Sequence, residues 1–113
     1  MKVLLPLLTL FFALSQKAVF SETIGDLVKR NGLYYKKNSD IPFSGEVTGQ
    51  YHGSYKNGKA EGPWVFYYPN GQLYSKGNYK DALQDGPWIT YNIDGTINTQ
   101  DTGIYKNGKK ISD

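Results

Sequence analysis

The sequence predicts an all-β protein: an antiparallel meander of repeated β-hairpins forming one elongated, twisted sheet. Three observations carry that expectation. Units recur in phase: GSYKNGKAEGPWVFYYPNGQLYSK over residues 53–76, GNYKDALQDGPWITYNIDGTINTQDT over 77–102, and a third, GIYKNGKKISD, from Gly103. Ten Tyr and two Trp are interspersed with thirteen Gly, as in short strands divided by tight turns. Turn dipeptides such as Asn57-Gly58, Asn70-Gly71 and Asn107-Gly108 fall between the aromatic runs.

Along the chain, residues 1–21 read MKVLLPLLTLFFALSQKAVFS, with Lys2 ahead of an apolar run from Val3 to Leu14. That is the layout of a secretory signal peptide. The run is too short to cross a bilayer, which takes roughly 20 residues as a helix. Val19 and Ser21 suit cleavage after Ser21, and Ala13 with Ser15 is a second option; an uncleaved anchor is the alternative. No Cys follows the run, which excludes lipoprotein anchoring.

Residues 22–52 are expected to form a degenerate N-terminal hairpin. There Asn31-Gly32 before Leu33-Tyr34 resembles Asn70-Gly71 before Gln72-Leu73-Tyr74, and Ser44 to Val47 begins a strand leading to Tyr51. Residues 53–76 are the first full repeat; between the turns lie strands from Trp64 to Tyr68 and from Leu73 into the next unit at Tyr79. Pro69-Asn70-Gly71 fits a type I turn, and Lys56-Asn57-Gly58-Lys59 fits a tight hairpin. Residues 77–102 repeat the arrangement, with Trp88, Tyr91 and Gly95 matching Trp64, Tyr67 and Gly71. One position departs: Ala82 stands where the neighbouring units have Gly58 and Gly108, so a left-handed backbone there is strained. Residues 103–113 form a partial, capping repeat, whose Lys109 and Lys110 discourage edge-to-edge pairing.

The formal charge is +3, from 13 Lys+Arg and 10 Asp+Glu. Without Lys2 and Lys17 of the leader, 11 bases face 10 acids, a net of +1. Nucleic acid, which rewards a clustered basic footprint, is therefore not an expected partner. Zero cysteines remove disulfides, thiolate chemistry and Cys-based metal sites.

Catalysis is not expected, and no catalytic residue, cofactor-binding residue or metal ligand is assigned. His52 is the one histidine and sits beside a turn glycine. Glu61 and Asp85 occupy equivalent positions of successive units, so they do not converge on one bond as a general acid and base must. The glycines are spaced by turns and do not cluster before a helix as a phosphate loop requires.

Binding is the better candidate. On a strand Trp64 and Phe66 share one face, while Val65 and Tyr67 share the other. A single-layer sheet so patterned either curls over its aromatics or leaves an aromatic patch for a partner. Trp64, Phe66, Tyr67, Tyr68, Trp88 and Tyr91 are the candidate partner-binding residues, since Tyr and Trp suit protein partners and ring faces also suit glycans. Lys56, Lys80 and Lys106 recur once per unit. They read either as a solvated ladder or as a contact for an anionic membrane surface. Phe66, Tyr68 and Pro69, replaced by Thr90, Asn92 and Ile93 in the next unit, are where unit-specific function is sought.

The pattern from Gly53 to Lys76 and from Gly77 to Ile97, with a partial copy from Gly103 to Lys109, resembles the MORN-repeat variant family. Its Gly-Pro-Trp and Asn/Asp-Gly elements carry the likeness over about two thirds of the chain after the leader. The resemblance implies a sheet of β-hairpin repeats, protein–protein or membrane contact, and no catalysis. The family includes bacterial proteins catalogued as YwqK-like antitoxins of toxin–antitoxin modules. The expectation is thus an exported, non-enzymatic protein-binding module, periplasmic or extracellular. The alternatives are an envelope-surface binder of anionic lipid or glycan, or a toxin-neutralising component by analogy.

Overall fold

The computed structural model describes residues 21–113. The expected signal peptide lies outside the described residues, apart from Ser21. Eleven strands follow: β1 (Ser21–Thr23), β2 (Leu27–Arg30), β3 (Leu33–Lys36), β4 (Gly45–Thr48), β5 (Tyr51–Lys56), β6 (Lys59–Tyr67), β7 (Leu73–Lys80), β8 (Leu83–Gln84), β9 (Gly86–Thr90), β10 (Gly103–Lys106) and β11 (Lys109–Ser112). Nine of them make one sheet in the order β1-β4-β5-β6-β7-β9-β10-β11, with β8 also paired to β7. Every pairing is antiparallel except β1 with β4. The all-β meander expected from the repeats is what the chain forms.

Both turn types follow from local chemistry. Asn57-Gly58 and Asn107-Gly108 take φ of 51° and 85°, and 51° and 84°, the two positive values of a type I′ turn. Asp81-Ala82 takes the same shape, with φ of 51° and 70°. Each of these turns is tied to a segment that precedes it in the chain. The N–H of Gly58, Ala82 and Gly108 donates to the carbonyl of Phe43 (2.7 Å), Ala60 (2.9 Å) and Gln84 (3.0 Å). At the opposite margin Gly71 N–H donates to Tyr68 O and Gly95 N–H to Asn92 O, both at 2.9 Å, closing the expected type I turns.

The N-terminal region differs from one further hairpin of the sheet. Asn31-Gly32, at φ of 51° and 83°, is a type I′ turn joining β2 to β3, and so matches Asn57-Gly58 in place of Asn70-Gly71. This hairpin leaves the sheet and lies on one of its faces. Tyr34 N–H donates to Gly58 O at 2.9 Å, and Phe43 N–H donates to Tyr34 O at 2.9 Å. Leu27 and Phe43 thereby join Val47, Tyr55 and Trp64 in the buried core, with Ile24 and Tyr34 packed against it. Burial of these apolar groups, at about 25 cal/mol per Å², is what folds the segment over.

The Gly-Pro-Trp element has a geometric cause. Between the pairs Ser54↔Glu61 and His52↔Val65, residues Gly62, Pro63 and Trp64 stand against the single residue Gly53. The next unit repeats this: Gly86, Pro87 and Trp88 stand against Gly77, between the Asp85 N–H···Asn78 O bond (2.9 Å) and the pair Lys76↔Ile89. Gly62 and Gly86 open each bulge at φ of 82° and 88°, a region that side-chain-bearing residues rarely occupy. The bulge lays each indole flat on the facing glycine, where any added Cβ would overlap the ring. Each indole N–H then reaches backbone, Trp64 to Ser54 O (3.1 Å) and Trp88 to Asn78 O (3.0 Å). The paired Gly and Trp recur because neither works without the other.

Candidate functional site: an aromatic shelf

One face of the sheet carries a continuous file of rings. Tyr55, Trp64, Tyr79 and Trp88 follow edge to face at 5.2, 5.9 and 5.1 Å between centroids, and Tyr105 continues the file at 6.4 Å from Trp88. Phe66 lies nearly parallel to both indoles, 5.8 Å from Trp64 and 6.2 Å from Trp88. Such tilted and offset arrangements are favourable beyond the area they bury.

Exposure along this file changes from end to end. Tyr55, at 7 % exposed, lies beneath Tyr34 (5.0 Å) and Phe43 (5.9 Å), whereas its equivalents Tyr79 and Tyr105 are only half-buried. Beyond the N-terminal hairpin the face opens into a depression of about 360 Å³ formed by Tyr51, Phe66, Tyr74, Tyr79, Trp88 and Tyr105. Tyr51 and Tyr74, at 39 % and 40 % exposed, form its rim. Its polar groups are Gln84, Asp101 and the buried hydroxyl pair Ser75–Thr90, 2.9 Å apart. Burial pushes the Tyr55 hydroxyl well above the ordinary phenol range and raises that of Tyr79, and the neighbouring Tyr34 adds to both effects. Both are neutral donors at any physiological pH.

The six aromatic candidates do not form one surface. Trp64 and Trp88, at 3 % and 4 % exposed, lie against their glycines and offer a partner almost no area. Phe66 sits with them on the shelf. Tyr67, paired with Leu73 after a register shift, stands at the far margin of the sheet. Tyr68 and Tyr91 are also there, joined by the Tyr68 hydroxyl donating to Tyr91 O at 2.7 Å. The shelf takes four tyrosines that sequence reasoning did not select: Tyr51, Tyr74, Tyr79 and Tyr105. Tyr79 and Tyr105 carried a signal, since they recur in phase with Tyr55; Tyr51 and Tyr74 carried none.

Lys56, Lys80 and Lys106 each precede a type I′ turn, and all three are exposed along one margin. Lys56 and Lys80 border a hollow shared with Lys59, Glu61 and Asp81. None of the three ladder lysines is within 4.0 Å of a carboxylate oxygen among the described residues. His52 is exposed on β5. Among the described residues no three His, Asp or Glu side chains converge as metal ligands do. A second depression, about 610 Å³, lies on the reverse face against Pro63, Val65, Pro87 and Ile89. It is the outer side of the two bulges, and Lys76, Asn78 and Asp85 interrupt its apolar lining.

Comparison with protein-family models, with curated proteins and with solved structures returned no match.

Proposed function

We propose that this chain is an exported, non-enzymatic interaction module that docks a protein partner on its aromatic shelf. One observation carries the reading: the ring file that the N-terminal hairpin covers at Tyr55 emerges from beneath it through the half-buried Phe66 and Tyr79 and opens towards Tyr105. Aromatic side chains presented on a rigid sheet bury large area at small entropic cost, which suits them to anchor a partner. The likeness of the repeats to the MORN-repeat variant family points the same way, and the apolar leader supports export.

The test is chemical cross-linking of the tagged protein in its own cells. The partner captured by the parent protein should be lost with Tyr51→Ala and with Tyr105→Ala, and retained with Tyr67→Ala at the far margin. Undiminished capture by both shelf variants would refute the reading. Mass spectrometry of the exported protein should find its first residue at Glu22.

A second reading, contact with an anionic lipid or glycan surface, is favoured by the row of Lys56, Lys80 and Lys106 on one margin, each without a carboxylate partner among the described residues. It requires co-sedimentation with anionic liposomes that high salt abolishes; indifference to lipid charge removes it.

A further inference from the structure

We propose that the open end of the aromatic shelf binds a β-hairpin segment of a partner protein, in the way this chain's own β2–β3 hairpin is held one unit earlier. The inference rests on the shelf being a protein-docking surface and specifies the occupant.

The occupied unit defines the contacts. The segment from Ile24 to Phe43 sets the Tyr34 ring 5.0 Å and the Phe43 ring 5.9 Å from Tyr55, and buries Leu27 and Phe43 in one cluster with Tyr55 and Trp64. It also makes one main-chain bond to the sheet's turn, Tyr34 N–H to Gly58 O, at 2.9 Å. Each receiving group has a counterpart 24 residues on, Tyr79 for Tyr55 and Ala82 for Gly58, and Trp88 underlies the second site as Trp64 underlies the first. The Ala82 N–H is engaged by Ala60 O, as Gly58 N–H is by Phe43 O, but the Ala82 carbonyl accepts nothing among the described residues. The next turn carbonyl, that of Gly108, is equally free.

The shelf is therefore continuous with an interface the chain already makes, and it offers the same ring file and the same kind of main-chain acceptor. Two-stranded segments suit such a site because their own ladder satisfies most backbone groups, leaving single outward N–H groups for a turn carbonyl. Asp101 lines the depression and adds a charge preference. A hairpin with a basic residue close to its aromatic fits best, as Lys29 and Lys36 flank Tyr34 in the resident hairpin.

The two tryptophans, one per unit, make the test direct. A synthetic peptide of residues 24–43 is titrated into the ¹⁵N-labelled full chain while both indole N–H cross-peaks are followed. The Trp88 peak should move and saturate while the Trp64 peak stays fixed. A Tyr34→Ala peptide should bind about tenfold more weakly, from loss of one aromatic pair and its buried area. Binding should also weaken when Tyr105 of the protein is changed to Ala. Failure of the Trp88 peak to move overturns the proposal. Movement of the Trp64 peak also overturns it, because the peptide would then be exchanging with the resident hairpin. If the peptide fails while partner capture remains sensitive to Tyr51 and Tyr105, the hairpin occupant is wrong and the docking surface stands.

Discussion

Replacing Ala82 with glycine should make this protein more stable. Ala82 sits at φ +70°, the second corner of a type I′ turn whose counterparts are Gly58 and Gly108. A left-handed alanine carries about 1–2 kcal/mol of steric strain that glycine does not. Glycine in turn gives the unfolded chain more freedom, worth roughly 0.4–1 kcal/mol in the opposite direction. Little else changes: Ala82 is exposed, and its N–H bond to Ala60 O survives the substitution. The net gain is about 0.5–1 kcal/mol, a rise of roughly 2–8 °C in Tm for a domain of this size. Thermal unfolding followed by circular dichroism measures it. The mirror variant Gly108→Ala, at φ +84° and with its new Cβ 3.3 Å from Leu83 Cδ2, should lower Tm. A Tm for Ala82→Gly at or below the parent value would refute the argument from backbone strain.

Other outcomes follow from the same geometry. Gly77→Ala would drive a methyl into the Trp88 indole and should cost about 3 kcal/mol; an unchanged urea midpoint would show that the ring is not seated there. Tyr68→Phe deletes the 2.7 Å bond to Tyr91 O and should cost about 1 kcal/mol by the same titration. Alkali should destabilise the fold. Burial, with help from Tyr34 and Tyr79, holds the Tyr55 hydroxyl neutral in the native state, while the unfolded phenol ionises near its ordinary value of 10.0. Stability is thus fully present below pH 10 and falls as pH rises above it, because the unfolded chain loses its proton first. Tyr55→Phe should flatten that alkaline loss; a pH–Tm profile identical to the parent's would contradict it.

Much of the architecture was legible because it repeats. Asn57-Gly58 and Asn107-Gly108 specify a type I′ turn through local sterics alone, and the in-phase Gly and Trp announced a shared geometry. What that geometry is could not be read: a bulge is a relation between two strands, and nothing in Gly62-Pro63-Trp64 names Gly53 as its seat. Asn31-Gly32 shows a different limit. Its dipeptide fixes the turn but not where the hairpin goes, and burial of Leu27 and Phe43 sends this one onto the face of the sheet. Tyr51 and Tyr74 escaped notice because they recur in no other unit, while repetition drew attention to Trp64 and Trp88, whose faces are already covered by backbone.

That contrast bears on where specificity resides. A residue present in every unit answers a demand every unit makes, as Trp64 and Trp88 answer the bulge. A residue present in one unit is free of that demand. Phe66 stacks between two indoles in the middle of the shelf, while Thr90, its equivalent, turns to a hydroxyl bond with Ser75. Exchanging them separates the two roles. Phe66→Thr should leave the Trp64 and Trp88 indole bonds in place, because those depend on Gly53, Gly77 and the bulges. It should nonetheless remove the apolar centre of the shelf between Tyr51 and Trp88. A variant that keeps its two-tryptophan NMR signature but loses its partner would locate recognition in the unrepeated residue. One that loses both would mean that Phe66, like its neighbours, is scaffold.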